Sequence, residues 1–173
     1  MSETRALMVI DVQRAYMEPE PMVTSDGDDL IEKCGGLIEK ARSAGVPVVF
    51  VQHLSDDQPD DPELVGVHPK LGRKADEPVI QKRFGSAFFK TDLERTLAAL
   101  GAETLYVCGL ATFGCVNATV MCAVCKEYET IVVKDAHGAQ DFADSTAAQV
   151  IDRFNAAWER AGARLILAKN VAL

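Results

Sequence analysis

The chain has 173 residues, 48% of them apolar and 25% charged, with a formal net charge of −8. That length suits one domain, residues 1–173, large enough to enclose a substantial core. The acidic balance argues against nucleic acid or an anionic membrane surface as the main partner, and no apolar run is long enough to span a bilayer.

The first expected strand covers residues 6–11, an apolar run closed by Asp11. A helix follows over 27–44, with Asp26 as its N-cap, Gly45 past its end and Pro47 blocking continuation. Val46 to Gln52 reads as a near-continuous apolar strand. Residues 53–78, rich in Asp, Pro and Gly, read as a long excursion of the kind that walls an active site. Strand 79–82, helix 90–100 ending at Gly101 and strand 103–108 come next. Helix 115–127, strand 129–134, helix 143–161 ending at Gly162 and strand 164–168 complete the chain. Apolar runs such as Val48-Val49-Phe50-Val51 suit a parallel sheet covered on both faces. The alternation predicts an α/β fold, a three-layer αβα sandwich around a parallel, Rossmann-like sheet of about six strands. No G-x-G-x-x-G follows the first strand and no G-x-x-x-x-G-K-[ST] occurs, which removes the main support for nucleotide binding.

Five cysteines (Cys34, Cys108, Cys115, Cys122, Cys125) make an odd count, and Met1-Ser2-Glu3-Thr4-Arg5 lacks the layout of a signal peptide. The expectation is a cytoplasmic protein without structural disulfides. Cys122 and Cys125 form a C-x-x-C inside an apolar helical run, with no second pair at zinc-site spacing, and read as packing residues. A redox protein using that pair is a rival reading that a reversible disulfide would reveal.

Three strand ends carry chemistry. Asp11 closes the first strand and Lys82 closes Pro78-Val79-Ile80-Gln81; Cys115 opens a helix just past Thr104-Leu105-Tyr106-Val107-Cys108-Gly109. In open α/β sheets ligands bind at the carboxyl ends of strands, so an acid, a base and a thiol there read as a nucleophilic hydrolase. A helix start and a nearby ammonium both favour a thiolate, which predicts a Cys115 pKa of about 3.5–7.5. Gln13, Tyr16, His53, Phe84 and Phe88 flank the three strand ends and are candidates for lining a small-molecule pocket. His68 and His137 are isolated and read as structural or pocket-lining residues.

Four blocks in order resemble the isochorismatase-like cysteine hydrolases over nearly the whole chain: Val9-Ile10-Asp11-Val12-Gln13, Lys82-Arg83-Phe84-Gly85-Ser86, Gly109-Leu110-Ala111-Thr112 with Cys115-Val116, and Asp135-Ala136. The resemblance implies a six-stranded parallel sheet and an Asp11–Lys82–Cys115 catalytic triad. It also implies a cis peptide between Leu110 and Ala111 that sets the Ala111 and Cys115 N–H groups side by side as an oxyanion hole. Nicotinamidases of the family begin a metal site with Asp-x-His after the second strand, where this chain reads Gln52-His53-Leu54-Ser55. No metal and no cofactor is therefore expected. The implied activity is hydrolysis of a C–N bond in a small amide, lactam, ureido or carbamoyl compound through a thioester acyl-enzyme. The alternatives are a nicotinamidase-type amidase and a non-catalytic member that only binds. Relatives complete their sites between subunits, which implies a homo-oligomer, a dimer or larger. Phe113, Met121 and Glu127 depart from the family pattern, and Glu127 stands where glycine usually ends the helix.

Overall fold

Strand β1 (Arg5–Ile10) buries five consecutive apolar side chains, a pattern satisfied only inside a sheet covered on both faces. The computed structural model describes residues 4–18, 27–56 and 61–173. In it β1 is joined by β2 (Val48–His53), β3 (Val79–Lys82), β4 (Thr104–Gly109), β5 (Glu129–His137) and β6 (Arg164–Ile166). All pairings are parallel, in the spatial order β3-β2-β1-β4-β5-β6. Alternation sends Leu7 and Val9 to one face, against Cys34, Leu37 and Ile38 of helix α2 (Gly27–Ser43). Ala6, Met8 and Ile10 go to the other, against Leu97 of α4 (Leu93–Ala99), Val120 of α5 (Asn117–Cys125) and Trp158 of α6 (Ala147–Ala161). The result is the expected three-layer αβα sandwich.

Several boundaries differ from expectation, each for a local reason. Residues 14–17 form a short helix, α1 (Arg14–Met17). Within the long excursion, α3 (Pro62–Val65) and a 3-10 turn (Pro69–Leu71) fold back over the sheet end. His68 N–H donates to Val12 O at 2.8 Å, and Gln52 Nε2 donates to Val65 O at 2.7 Å. Helix α6 starts at Ala147 rather than 143, because Thr146 and Gln149 form a reciprocal capping box there. Helix 90–100 shortens to Leu93–Ala99 as the Thr91 hydroxyl accepts from Leu93 N–H at 3.2 Å. Strand β5 runs on to His137. Glu127 takes the left-handed conformation (φ 65°) that its position after α5 demands, where glycine would sit without strain. The expected Asp26 cap lies outside the described residues. Among those residues no helix is long and apolar enough to cross a membrane.

Candidate active site

β1 has β2 on one side and β4 on the other, so the chain leaves its carboxyl end in opposite directions and opens a crevice there. Asp11 stands at that point with a left-handed backbone (φ 51°), uncommon for a residue other than glycine and characteristic of functional sites. Its main chain stays anchored, Asp11 N–H donating to Val51 O at 3.0 Å. Gly109 ends the neighbouring β4 with φ 118°. A Cβ there would lie 2.7 Å from Ile10 N and closer still to its carbonyl oxygen, so only glycine permits this approach of the two strands.

Lys82 arrives from β3, two strands from β1, a separation of about 9–10 Å at ordinary strand spacing. Its long side chain crosses the end of β2. There the buried ammonium donates to Asp11 Oδ2 at 2.7 Å and to Cys115 Sγ at 3.0 Å, and it lies 3.0 Å from His53 Nδ1. An ammonium has three N–H donors, and these contacts use all of them. The three residues expected to act together are thus brought together.

Burial dominates the electrostatics. Desolvation raises the Asp11 pKa above the ordinary carboxylate value, against the opposing pull of Lys82. Asp11 Oδ1 is buried and accepts no hydrogen bond among the described residues. Burial first, and then the Asp11 carboxylate, push the Cys115 thiol up to about 11, with Lys82 pulling the other way. The packed site therefore pushes against the acidic thiol expected from the sequence, burial and the Asp11 carboxylate both favouring the protonated form. The site holds a protonated nucleophile and a carboxylate of enhanced basicity in reach of each other.

Cys115 also sits differently from expectation, inside a π-type turn (Thr112–Val116) that precedes α5 rather than on the first helical residue. Gly114 breaks the helical geometry within it (φ −111°, ψ −107°). The Ala111 carbonyl accepts from Gly114 N–H at 2.9 Å and Val116 N–H at 3.2 Å. Ala111 N–H itself makes no hydrogen bond among the described residues. A buried network fixes this turn from behind. The Thr112 hydroxyl lies 2.8 Å from His137 Nδ1, His137 Nε2 lies 3.1 Å from Asn155 Oδ1, and Asn155 Nδ2 donates to Lys134 O at 3.1 Å. Since Asn155 offers its oxygen, His137 donates from Nε2, while the single Thr112 hydroxyl proton has both Gly138 O and His137 Nδ1 at 2.8 Å. Burial lowers the His137 pKa to about 4, which keeps it neutral. Sequence spacing carried no sign of this network, because Thr112, His137 and Asn155 meet only through packing.

Of the expected pocket residues, His53 lies at the site, half-buried beside Lys82. Gln13 is fully buried and plays another part. Its side chain accepts from His53 N–H at 2.7 Å and donates to His53 O at 3.0 Å and Val65 O at 2.7 Å. It replaces the ladder bonds lost where Asp11 turns β1 out of the sheet. Tyr16 is half-buried on α1 and packs against the core. Phe88 is a core aromatic 5.7 Å from the Tyr128 ring. Phe84 is 46% exposed and stacks edge-on against Phe89. Gln13 and Phe88 are both buried, the first holding the end of β2 and the second packed in the core.

One Asp11 oxygen, a His53 ring nitrogen and the Cys115 sulfur lie within 4.8 Å of one another, a grouping that resembles a metal site. The Lys82 ammonium already occupies the cation's place among these donors, so the set does not fit an ion.

An isochorismatase domain model matches residues 5–166. The chain is 33% identical over 138 residues to the isochorismatase family protein YddQ of Bacillus subtilis, covering 77% of each. It is 29% identical over 152 residues to the maleamate amidohydrolase of Pseudomonas putida, covering 77% of this chain and 71% of that one. The crystal structure of a cysteine hydrolase from Pseudomonas syringae pv. phaseolicola matches with a TM-score of 0.89 at 26% identity, over 98% of this chain and 91% of that one.

Proposed function

The chain belongs to the isochorismatase family, and from that premise we propose that it is a cysteine amidohydrolase cleaving the C–N bond of a small amide, lactam, ureido or carbamoyl compound. The observation that carries this reading is the single buried ammonium of Lys82, bonded to Asp11 at 2.7 Å and to Cys115 at 3.0 Å. A binding protein has no use for a buried acid, base and thiol held at such distances. The relation to a maleamate amidohydrolase supports the amide class.

In the proposed cycle Asp11 takes the Cys115 proton as the sulfur attacks the carbonyl carbon. Negative charge then moves from Asp11 to the sulfur and on to the carbonyl oxygen, while Lys82 stays in contact with both side chains. The tetrahedral oxyanion is held by the N–H groups of Ala111 and Cys115; one such donor is worth about 3–4 kcal/mol in other hydrolases. Because the three Lys82 donors are engaged, backbone N–H groups are the donors left for this role. Asp11 next protonates the departing nitrogen, the C–N bond breaks and a thioester remains. Water gives a proton to Asp11 and attacks the thioester, releasing the acid and returning the thiol.

A screen over small amides, ureides and lactams, read by release of ammonia or amine, tests the reaction. Rapid quenching and mass spectrometry should find the acyl group on Cys115, and Cys115→Ala should lack both adduct and turnover. Turnover by Cys115→Ala would sink the assignment. We also propose a homo-oligomer, in keeping with Phe84, Phe89 and Met121 being 46%, 50% and 36% exposed; a monomer by light scattering at micromolar concentration would refute it.

A further inference from the structure

The catalytic reading above assigns Asp11, Lys82 and Cys115, yet the lysine touches a fourth group that it leaves without a role. We propose that His53, in its neutral form, is a positioning residue that accepts the third N–H of Lys82 and so locks the ammonium between Asp11 and Cys115. The inference rests on that reading for its effect on turnover, though not for its geometry.

Lys82 and His53 are register partners at the ends of β3 and β2, and β2 is the strand that Lys82 must cross to reach Asp11. A long, flexible side chain crossing a neighbouring strand end needs something there to hold it. His53 Nδ1 lies 3.0 Å from Lys82 Nζ. Since Lys82 is a donor only, Nδ1 must accept, which puts the ring proton on Nε2. Two further donations, to Asp11 Oδ2 and Cys115 Sγ, complete the tripod. His53 is itself fixed, its main-chain N–H and C=O both clamped by the Gln13 side chain. The charged or titratable groups recorded around the ring are Lys82, Asp11 and Cys115. Protonating His53 would place a second positive charge against the ammonium and remove its acceptor. Burial and the neighbouring Lys82 both lower the His53 pKa, which keeps the accepting form present at neutral pH.

Two measurements test this. The first uses no substrate: long-range 1H–15N NMR of the imidazoles, titrated in wild type and in Lys82→Met. The expected result is an Nε2–H tautomer whose midpoint lies below the ordinary histidine value and rises when the lysine charge is removed. An Nδ1–H tautomer, or a midpoint unmoved by Lys82→Met, would overturn the proposal. The second compares His53→Asn, whose oxygen can stand in for Nδ1, with His53→Leu, which has no acceptor. His53→Leu should lose about 10- to 100-fold in kcat with KM little changed, the scale of one hydrogen bond to a charged group. His53→Asn should recover most of that loss. Equal loss in both variants, or a loss confined to KM, would overturn it. Should no amide be turned over at all, the amidase reading fails, while the NMR titration still decides the role of His53.

Discussion

Replacing Asp11 with Asn separates two things that loss-of-function variants usually confound, the reactivity of the thiol and the catalytic cycle. The Asp11 carboxylate is one of the causes that raise the Cys115 pKa to about 11. An Asp11 oxygen lies within 4.8 Å of the sulfur. Two unit charges at that separation interact by about 3.5 kcal/mol at an effective dielectric constant of about 20. Cys115 is only partly buried, so solvent screening takes roughly half of this, leaving about 1.5 kcal/mol or roughly tenfold in thiolate population. Asparagine keeps an oxygen for Lys82 to donate to while removing the charge. Asp11→Asn should therefore react with iodoacetamide roughly tenfold faster than wild type at pH 7.5, with the label mapped to Cys115 by mass spectrometry. The same protein should lose turnover by about 100-fold or more, since nothing remains to carry the proton to the leaving nitrogen. Slower alkylation than wild type would refute the charge argument, because the role of Asp11 as the base that takes the thiol proton would then outweigh its opposing charge.

Three further outcomes follow from other parts of the molecule. His137 is held neutral, its pKa lowered from 6.5 to about 4, so on acidification the unfolded chain takes up that proton first. The stability it contributes is complete above pH 6.5 and is lost as pH falls towards about 4, in all about 3 kcal/mol. Urea unfolding at pH 7 and pH 4.5 should show a smaller pH loss in His137→Gln than in wild type; equal losses would count against the buried network. Gly109→Ala must place a Cβ against the Ile10 backbone at φ 118°, and should cost about 3 kcal/mol or more, a fall in Tm of about 6–12 °C. A melt within 2 °C of wild type, roughly the effect of under 1 kcal/mol, would contradict it. Activity should survive exhaustive EDTA treatment, because Lys82 occupies the cation's place beside Asp11, His53 and Cys115; loss on chelation with recovery on adding zinc would overturn the metal-free reading.

How much of this was legible in the residues depends on the range over which each feature is decided. The apolar runs of β1, β2 and β4 announce a covered parallel sheet, because burial on both faces requires that composition wherever the strand ends up. Gly162 past α6 is a local steric fact, readable from a few neighbours, whereas the need for glycine at 109 comes from the Ile10 backbone of the adjacent strand. Asp11, Lys82 and Cys115 were visible as chemistry at strand ends, since polar groups closing apolar strands stand out against the run before them. What those groups touch was not visible. Lys82 meets Asp11 and Cys115 across 71 and 33 residues of chain, and only the strand order β3-β2-β1 makes it cross His53. Gln13 looked like a pocket residue by proximity and became a ladder bond because Asp11 turns the backbone away. The thiol is the clearest case. Helix position and a nearby lysine pointed to an acidic cysteine, but desolvation and the distance to a carboxylate outweighed them. Both of those are properties of the packed chain, because the field at an atom depends on everything around it and not on its neighbours in sequence.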